Sequence, residues 1–273
     1  MLTRVRQRRP QGFAAGVWRE LAAAARHCSD RRSLARLCSD IVLFRVLFVL
    51  PSLATTSRTR TIRLDGASIT YRLNRGDIQG IREVWFEEAY RVPFGPGPRT
   101  VLDLGANIGL TSLWLAHRYR CECVLAVEPD PSNVMIARRN LADNNVSGVI
   151  VEAAAGPSDG IAAFARSRAS NLGALVPRPE AEATVDVRVL TPGSILSNAG
   201  LDSVDLCKLD IEGAEGALLL TGDTAWLDGV GSMLAELHAD RIDVAAVIAA
   251  IETRGLRRHP AGVDGRKTEF FVR

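Results

Sequence analysis

The stretch Thr100-Val-Leu-Asp-Leu-Gly-Ala-Asn-Ile-Gly109 decides the fold of this 273-residue chain. Its apolar first half predicts a buried strand. Gly105 and Gly109 predict a tight turn in which a side chain would block the backbone path or a ligand. Apolar residues then recur at helical spacing, so a helix follows the turn. Because the first N–H groups of a helix have no partner within it, this pattern predicts a site for polar or anionic ligand groups.

An acidic residue ends the next predicted strand. The apolar run 124–127 leads directly into Glu128 and Pro129. An acid at the end of the second strand can accept hydrogen bonds from both hydroxyls of a ribose. The chain is therefore predicted to bind a cofactor that contains a nucleoside.

The spacing of the glycines distinguishes between two such cofactors. A dinucleotide site is typified by Gly-x-Gly-x-x-Gly, whereas this chain has Gly105-x-x-x-Gly109 with Asp103 just before the turn. A carboxylate at Asp103 would repel a pyrophosphate and attract the ammonium of an amino-acid moiety. The pattern favours S-adenosylmethionine, and an NAD-dependent oxidoreductase stays as the alternative.

Composition predicts one well-buried α/β domain with an extension, since 47% of the residues are hydrophobic. The charge is uneven. Residues 1–60 hold 12 arginines and three acids, a net charge of +9, which leaves −6 for the rest because the whole chain carries +3. This balance argues against nucleic acid at the catalytic face. It leaves open a contact between the basic extension and an anionic lipid or an acidic partner.

Cysteine usage and hydropathy predict a cytoplasmic protein, with a peripheral membrane location as the alternative. The cysteines are scattered without zinc-ligand spacing: Cys28, Cys38, Cys121, Cys123 and Cys207. The apolar run 41–50 is too short to span a bilayer and contains Arg45. We expect it to be a helix that docks on the body of the protein. A helix in the membrane interface, or one that mediates a homodimer, is the other interpretation.

Three regions are predicted: a basic helical extension (1–60), a hairpin and helix that lead into the core (61–98), and the cofactor domain (99–273). Residues 1–12 are expected to be disordered and residues 52–60 to form a linker. Alternating strands and helices from residue 100 predict a parallel sheet covered on both faces. Strands are predicted at 61–64, 67–73, 100–104, 123–127, 149–153, 161–165, 183–189, 204–209, 231–237 and 267–272. The two strands at 161–165 and 183–189 lie in an insertion and flank a polar stretch at 167–171. Helices are predicted at 13–27, 31–48, 77–90, 108–118, 131–143, 213–220 and 242–252.

Charged residues follow two later strands. Lys208 and Asp210 alternate within an apolar strand and would share one face, with Glu212 just beyond them. Buried charges of opposite sign need a reason, although acids also occur at ordinary helix starts. The next strand ends with Glu236 and His238 on one face. Because ligands collect at the carboxyl ends of parallel strands, the candidate catalytic residues are Lys208, Asp210, Glu212 and His238.

A histidine at this edge can act as a general base near neutral pH, so His238 is the first candidate and Asp210 the second. The alternative for His238 is a residue that only caps a strand end. No metal site is predicted. A divalent ion held by Asp210, Glu212 and Glu236 is the alternative, since oxygen ligands suit magnesium.

Together these motifs resemble the FkbM family of S-adenosylmethionine-dependent methyltransferases. The matching pieces are the glycine loop, Val127-Glu-Pro129, Lys208-Leu-Asp-Ile-Glu-Gly-Ala-Glu215, Ala235-Glu-Leu-His238 and Arg82-Glu-x-x-Phe86-x-x-x-Tyr90. The resemblance implies a Rossmann-like class I methyltransferase sheet of seven strands, with helices on both faces and the last two strands antiparallel. No counterpart is identified for residues 1–60.

The resemblance also implies roles for individual residues. The methionine part of the cofactor would lie against Asp103, Gly105, Ala106, Asn107 and Gly109. Glu128, followed by Pro129, would hold the ribose, Ala154 would lie near the adenine, and Asp210 with Glu212 would face the methyl group or the acceptor. The implied reaction is O-methylation of a sugar, a polyketide, another secondary metabolite or a glycolipid. A non-catalytic adaptor that keeps the cofactor fold is the alternative from a different class.

Overall fold

The computed structural model describes residues 13–47, 58–93, 95, 97–166, 183–260 and 268–273. The predicted disorder at 1–12, the polar stretch at 167–171 and residues 52–57 of the predicted linker lie outside the described residues. The strands are β1 (Thr59–Leu64), β2 (Ala67–Arg72), β3 (Thr100–Leu104), β4 (Cys123–Glu128), β5 (Gly148–Glu152), β6 (Ala154–Ala155), β7 (Gly160–Arg166), β8 (Ala183–Leu190), β9 (Val204–Leu209), β10 (Val230–Glu236), β11 (Arg257–Arg258) and β12 (Thr268–Val272). The α-helices are α1 (Phe13–His27), α2 (Arg31–Leu47), α3 (Arg75–Ile81), α4 (Leu110–Tyr119), α5 (Pro131–Ala142), α6 (Pro192–Asn198), α7 (Glu215–Leu220) and α8 (Val244–Thr253).

Seven strands form the central sheet in the order β11-β12-β10-β9-β3-β4-β5. Neighbouring strands along the part β10-β9-β3-β4-β5 pair in parallel, and β12 runs antiparallel to both β10 and β11. The predicted class I methyltransferase sheet is confirmed, including its antiparallel end. Strand β11 has only two residues, too few for a hydrophobic period to reveal it.

Two apolar clusters cover the two faces of this sheet. Val101 in β3 belongs to a cluster with residues of α4 and α5, and its neighbour Leu102 belongs to a cluster with residues of α6, α7 and α8. Successive side chains of a strand point to opposite faces, so the helices lie on both sides. The carboxyl ends of β3, β4, β9 and β10 consequently share one edge, and the candidate residues are at that edge.

Helices α1 and α2 pack against the hairpin of β1 and β2. Leu37 and Ile41 of α2 are buried in the same cluster as Ile69 of β2. Asp40 is buried as well, where it accepts a hydrogen bond from the Tyr71 hydroxyl. Ile41, the first residue of the apolar run 41–50, is therefore docked on the body as predicted, whereas Val42 and Leu43 are exposed and the side chains from residue 45 to 50 lie outside the described residues. Within the described ranges, no helix combines the length and the apolar character needed to cross a membrane.

Some predicted boundaries were wrong. The helix predicted at 77–90 begins earlier, because the Asn74 side chain accepts from the backbone N–H of Asp77 and caps α3. It gives way to a π-helical turn at Arg82–Phe86, and Glu88 then adopts a left-handed conformation. In the insertion, β6, β7 and β8 form a separate small sheet. Helix α6 was not predicted, although Thr191 followed by Pro192 is typical of a helix start.

Candidate active site

The glycine loop after β3 is held in an unusual backbone conformation. Gly105, Asn107 and Gly109 have φ angles of 83°, 51° and 76°. A Cβ at position 105 would also overlap the carbonyl oxygen of Asp210. Only glycine permits both this dihedral angle and this close approach. Gly105 therefore allows the loop to lie directly against the end of β9. The two main sequence motifs therefore meet at one point.

Glu128 fastens the loop to the next crossover. Its carboxylate is 5% exposed at the end of β4, where Oε2 accepts from the backbone N–H of Asn107 at 2.9 Å. Oε1 accepts from the backbone N–H of Asp130 at 3.0 Å and from the side chain of Asn133 at 3.1 Å. Burial raises the pKa of Glu128 to about 7 despite these donors. The carboxylate is fixed in position and still has lone pairs for additional donors.

Lys208 and Asp103 form a fully buried ion pair behind the loop. Strand register places them opposite each other in β9 and β3, and Lys208 Nζ lies 3.1 Å from Asp103 Oδ1. The contact is an ion pair without hydrogen-bond alignment, since no residue that the structure describes forms a hydrogen bond to Asp103 Oδ1. Lys208 Nζ instead donates to the carbonyl oxygens of Gly105 at 2.6 Å and Leu104 at 3.3 Å, while Ser112 Oγ donates to Asp103 Oδ2 at 2.6 Å. The Asp103 carboxylate, which was expected to attract the cofactor's ammonium, thus already faces an ammonium of the protein.

This environment keeps Lys208 charged. Burial by itself would lower its pKa, but the carboxylates of Asp103 and Asp210 outweigh that effect, and the pKa lies above its ordinary value. The predicted common face of Lys208 and Asp210 is confirmed, with Nζ 3.9 Å from Asp210 Oδ2. Lys208 therefore tethers the glycine loop to β9.

Asp210 lies between the buried pair and the open edge of the sheet. Its Oδ2 accepts from the Tyr90 hydroxyl at 2.9 Å, and its Oδ1 is buried and has no hydrogen-bond donor among the described residues. Burial raises the pKa of Tyr90 well above its ordinary value, and the nearby Asp210 carboxylate adds to the rise, so the phenol stays protonated as the donor. Tyr90 belongs to the quoted family motif but was not predicted as a site residue. One carboxylate oxygen at the edge of the sheet thus remains unsatisfied.

His238 is surrounded by carboxylates. Its Nδ1 lies 3.0 Å from Oε1 of Glu215, which is fully buried, and its Nε2 lies 3.8 Å from Glu212 Oε2 and 4.0 Å from Asp210 Oδ1. Burial alone would lower the pKa of His238, but the hydrogen bond and charge of Glu215, with Asp210 and Glu212, raise it to about 9. At neutral pH the ring is therefore an imidazolium with a proton on each nitrogen. Such a ring has no lone pair with which to accept a proton.

Glu215 was missed by the sequence analysis although it ends the quoted acidic string. Glu215 is the third acid of that string and the first residue of α7. Its side chain turns back toward the sheet, where Oε1 accepts from the backbone N–H of Ile211 at 3.0 Å. Glu212 adopts a left-handed conformation with φ of 59°, and its backbone carbonyl accepts from Arg241 at 2.7 Å. Backbone strain of this kind is common at functional sites.

Three of these side chains have metal-ligand chemistry. Ligand atoms of Asp210, Glu215 and His238 lie within 4.8 Å of one another, in the part of the chain that the structure describes. This set differs from the alternative of Asp210, Glu212 and Glu236. The imidazolium already supplies a cation to these carboxylates, and the absence of a metal site stays a prediction.

Three other residues were predicted to contact the cofactor. Ala106 is buried in the glycine loop, and Pro129 is partly exposed after Glu128. Ala154 is buried in β6, where it pairs with Val189. Their contacts with a cofactor stay predictions.

S-adenosylmethionine fits the residues that are present. Among the described residues, Asn107 Oδ1 is a buried acceptor without a hydrogen-bond partner in the glycine loop. Buried acceptors of this kind need donors, preferably charged ones. A ligand with an ammonium and a sulfonium supplies positive charge to such an edge, whereas a pyrophosphate would not.

Comparisons with known proteins agree with this chemistry. The profile of the methyltransferase FkbM domain matches residues 103–248. Methyltransferase 1 of Beauveria bassiana is 26% identical over 198 residues, which cover 64% of this chain and 78% of that protein. The 31-O-demethyl-FK506 methyltransferase FkbM of Streptomyces tacrolimicus is 23% identical over 229 residues, covering 71% of this chain and 88% of that protein.

Solved structures give matches at lower identity. The M. jannaschii TYW2 structure in complex with AdoMet matches at a TM-score of 0.41 and 11% identity, over 80% of this chain and 85% of that one. Because the family profile and the two relatives are methyltransferases, neither the NAD-dependent oxidoreductase nor the non-catalytic adaptor is favoured. The profile match extends over more than half of the residues and contains both motifs of the site, and the chain therefore belongs to the FkbM family of methyltransferases, which use S-adenosylmethionine.

Proposed function

We propose that this chain transfers a methyl group to a hydroxyl oxygen of a small-molecule acceptor. The unsatisfied Oδ1 of Asp210 carries the proposal. A hydroxyl must lose its proton when its oxygen is methylated, so the site needs a proton acceptor within reach of that oxygen. A carboxylate oxygen that has no donor, at the edge where ligands bind, meets this requirement. The name of the FkbM relative, a 31-O-demethyl-FK506 methyltransferase, supports transfer to oxygen.

The glycine loop and Glu128 would hold the cofactor. When bound, S-adenosylmethionine supplies a methyl group on a positively charged sulfur. Glu128 would accept from the ribose hydroxyls, and Asn107 Oδ1 would accept from the methionine part. Lys208 would fix the loop through the Gly105 carbonyl, which leaves Asp103 to compensate the lysine charge. This assignment changes the predicted role of Asp103 from direct cofactor contact to support of the loop.

Asp210 replaces His238 as the proposed proton acceptor. With a pKa of about 9, His238 is protonated at neutral pH and can only donate. We assign it to holding the carboxylates of Glu215, Glu212 and Asp210 in place by its charge. Tyr90 would orient Asp210 through the hydrogen bond to Oδ2, so that Oδ1 faces the acceptor.

The acceptor class proposed here is a sugar, polyketide or other secondary-metabolite hydroxyl, or a glycolipid. The test incubates the full chain with methyl-labelled S-adenosylmethionine and a panel of such alcohols that includes 31-O-demethyl-FK506. Mass spectrometry then locates the new methyl group. Asp210→Asn should lose at least about a hundredfold in turnover, the lower range for general-base catalysis, while keeping its affinity for S-adenosylmethionine.

Asp202→Asn is the matched control, because Asp202 is an exposed acid before the same strand. It should retain full turnover. Methylation at nitrogen or carbon would contradict the proposed acceptor. Full turnover in Asp210→Asn would exclude Asp210 as the proton acceptor, and full turnover in His238→Gln would exclude a supporting role for the imidazolium.

A further inference from the structure

The α1–α2 hairpin has an outer face that points away from the core. On α1, the exposed residues Trp18, Ala22, Ala25 and Arg26 recur at spacings of three and four, which places them on one side of the helix. Their buried counterparts, Ala23 and Ala24, face the body of the protein. Trp18 is 71% exposed, more than any other tryptophan of the chain.

The second helix has an exposed side as well. Its exposed residues also recur at helical spacing and include Val42 and Leu43, which are 47% and 39% exposed. Trp18 lies about 14 Å before the end of α1, and Val42 lies about 16 Å after the start of α2, at a rise of about 1.5 Å per residue. Since the two helices are joined by a short turn and pack side by side, these apolar side chains lie at a similar height. We define the outer face by the exposed apolar residues Trp18, Val42 and Leu43 together with the exposed arginines of the two helices.

Arginine predominates among the charged residues of the outer face, with one exposed acid, Asp30, in the turn between the two helices. The outer face has four exposed arginines, at positions 19, 26, 31 and 32. The acids of the two helices lie elsewhere: Glu20 pairs with Arg82 at 3.5 Å, and Asp40 is buried against Arg60. The adjoining Asp30 caps α2 by accepting from Ser33. Exposed tryptophan and aliphatic side chains among arginines are typical of surfaces that rest in the headgroup region of a membrane.

We propose that the outer face binds the surface of an anionic lipid bilayer. The apolar side chains would enter the boundary between headgroups and acyl chains, and the arginines would bind lipid phosphates. The sequence from residue 1 to 60, with its net charge of +9, has the complementary sign. An acidic protein would match the arginines, but it would not require the exposed Trp18, Val42 and Leu43.

The proposed surface adjoins the candidate active site through one segment. Glu20 of α1 pairs with Arg82 at the start of the π-helical turn, and the same segment leads to Tyr90, which donates to Asp210. Helix α1 therefore connects the outer face to the segment that holds Tyr90. The lipid proposal does not depend on the acceptor of the methyl group.

Tryptophan fluorescence of the full chain tests the proposal. Trp85, Trp114 and Trp226 are 1%, 5% and 7% exposed, so a shift of emission on binding would report mainly Trp18. We expect a blue shift with vesicles of phosphatidylcholine containing about 30% phosphatidylglycerol, little shift with phosphatidylcholine alone, and loss of binding at high salt. Trp18→Phe should lose the blue shift while vesicle flotation still detects binding.

Two variants and their controls assign the surface. Arg26→Gln, Arg31→Gln and Arg32→Gln together should weaken binding on the order of a hundredfold, at about fivefold for each arginine. The control variant removes the same charge at the exposed Arg118, Arg120 and Arg257. It should bind the vesicles more tightly than the outer-face variant does. Val42→Ser should also weaken binding, whereas Ile161→Ser, at a 78% exposed position of β7, should not.

Several results would overturn the proposal. Equal binding to vesicles with and without phosphatidylglycerol would exclude recognition of anionic lipid. Equal effects of the two arginine sets would show that net charge acts without this face. A dimer in solution that the Val42→Ser variant abolishes, with no vesicle binding, would show that a second copy of the chain covers the face.

Discussion

Replacing Lys208 by methionine should be the most destabilising single change at the site. Methionine retains the length and apolar stem of lysine but removes the charge that faces Asp103 at 3.1 Å. Both side chains are buried, at 2% and 0% exposure, so the Asp103 carboxylate would be left without its counter-charge in the interior. Removal of one partner of a buried pair typically costs about 3–5 kcal/mol. The carbonyl oxygen of Gly105 would also lose its donor, which adds to the cost.

Chemical unfolding of the full chain measures this effect. Lys208→Met should lower the free energy of unfolding by about 3–5 kcal/mol, while the slope with denaturant stays unchanged. The double variant Asp103→Asn with Lys208→Met removes both charges and should regain most of that loss. Such a recovery is the signature of coupling between two residues in contact. Arg257→Met, an exposed cation on the same sheet, is the control and should change stability by less than about 0.5 kcal/mol.

Two results would contradict a stabilising role for the buried ion pair. If Lys208→Met loses less than about 1 kcal/mol, the ion pair does not stabilise the fold as its burial implies. If the double variant is as unstable as the sum of the single variants, the unpaired carboxylate is not the cause. Titration with S-adenosylmethionine separates folding from binding: a folded Lys208→Met protein should bind the cofactor more weakly because its glycine loop is no longer tethered.

Three further changes follow from the same geometry. The pKa of Glu128 is raised from 4.5 to about 7 in the fold, so the free energy of unfolding of the unliganded protein should fall by about 3 kcal/mol as pH rises through that window. Glu128→Gln should remove this pH dependence in urea unfolding and weaken the binding of S-adenosylmethionine. An unchanged pH dependence in the variant would contradict the raised pKa. Gly105→Ala should abolish cofactor binding in calorimetry, because its Cβ would overlap the Asp210 carbonyl oxygen, whereas Gly160→Ala, in open space, should bind normally. The pKa of His238 is raised to about 9, so its contribution to stability is complete below pH 6.5 and is lost as pH rises through about 9. The difference in the free energy of unfolding between wild type and His238→Gln should shrink over that range. A constant difference would contradict a protonated His238 ring.

The fold was largely predictable because its strongest signals are local. Alternation of apolar strands and amphipathic helices identified the sheet, and the glycine turn identified the edge at which ligands bind. The missed elements are short or depend on distant partners. Strand β6 has two residues and forms only because β8 lies beside it, and β11 likewise depends on β12. Such pairings are set by tertiary contacts, which no local period encodes.

The site was predictable as a set of residues but not as a set of charges. Asp103 precedes a ligand-binding turn, and nothing near it in sequence shows that a lysine neutralises it. The partner is fixed by strand register, which places Asp103 opposite Lys208 across β3 and β9. A shift of one residue would put the two side chains on opposite faces, so their pairing follows only from the assembled sheet.

The assembled sheet also changes the role of His238. An isolated histidine titrates near neutral pH, which made it the natural first choice for a base. In the fold it faces Glu215 at 3.0 Å with two further carboxylates near its other nitrogen, and these hold the proton on the ring. Each of the two cations, Lys208 and His238, is thus committed to carboxylates of the protein. Among the described residues no donor bonds Asp210 Oδ1, which lies 4.0 Å from the imidazolium, and the proposed proton transfer is assigned to that atom because Oδ2 already accepts from Tyr90.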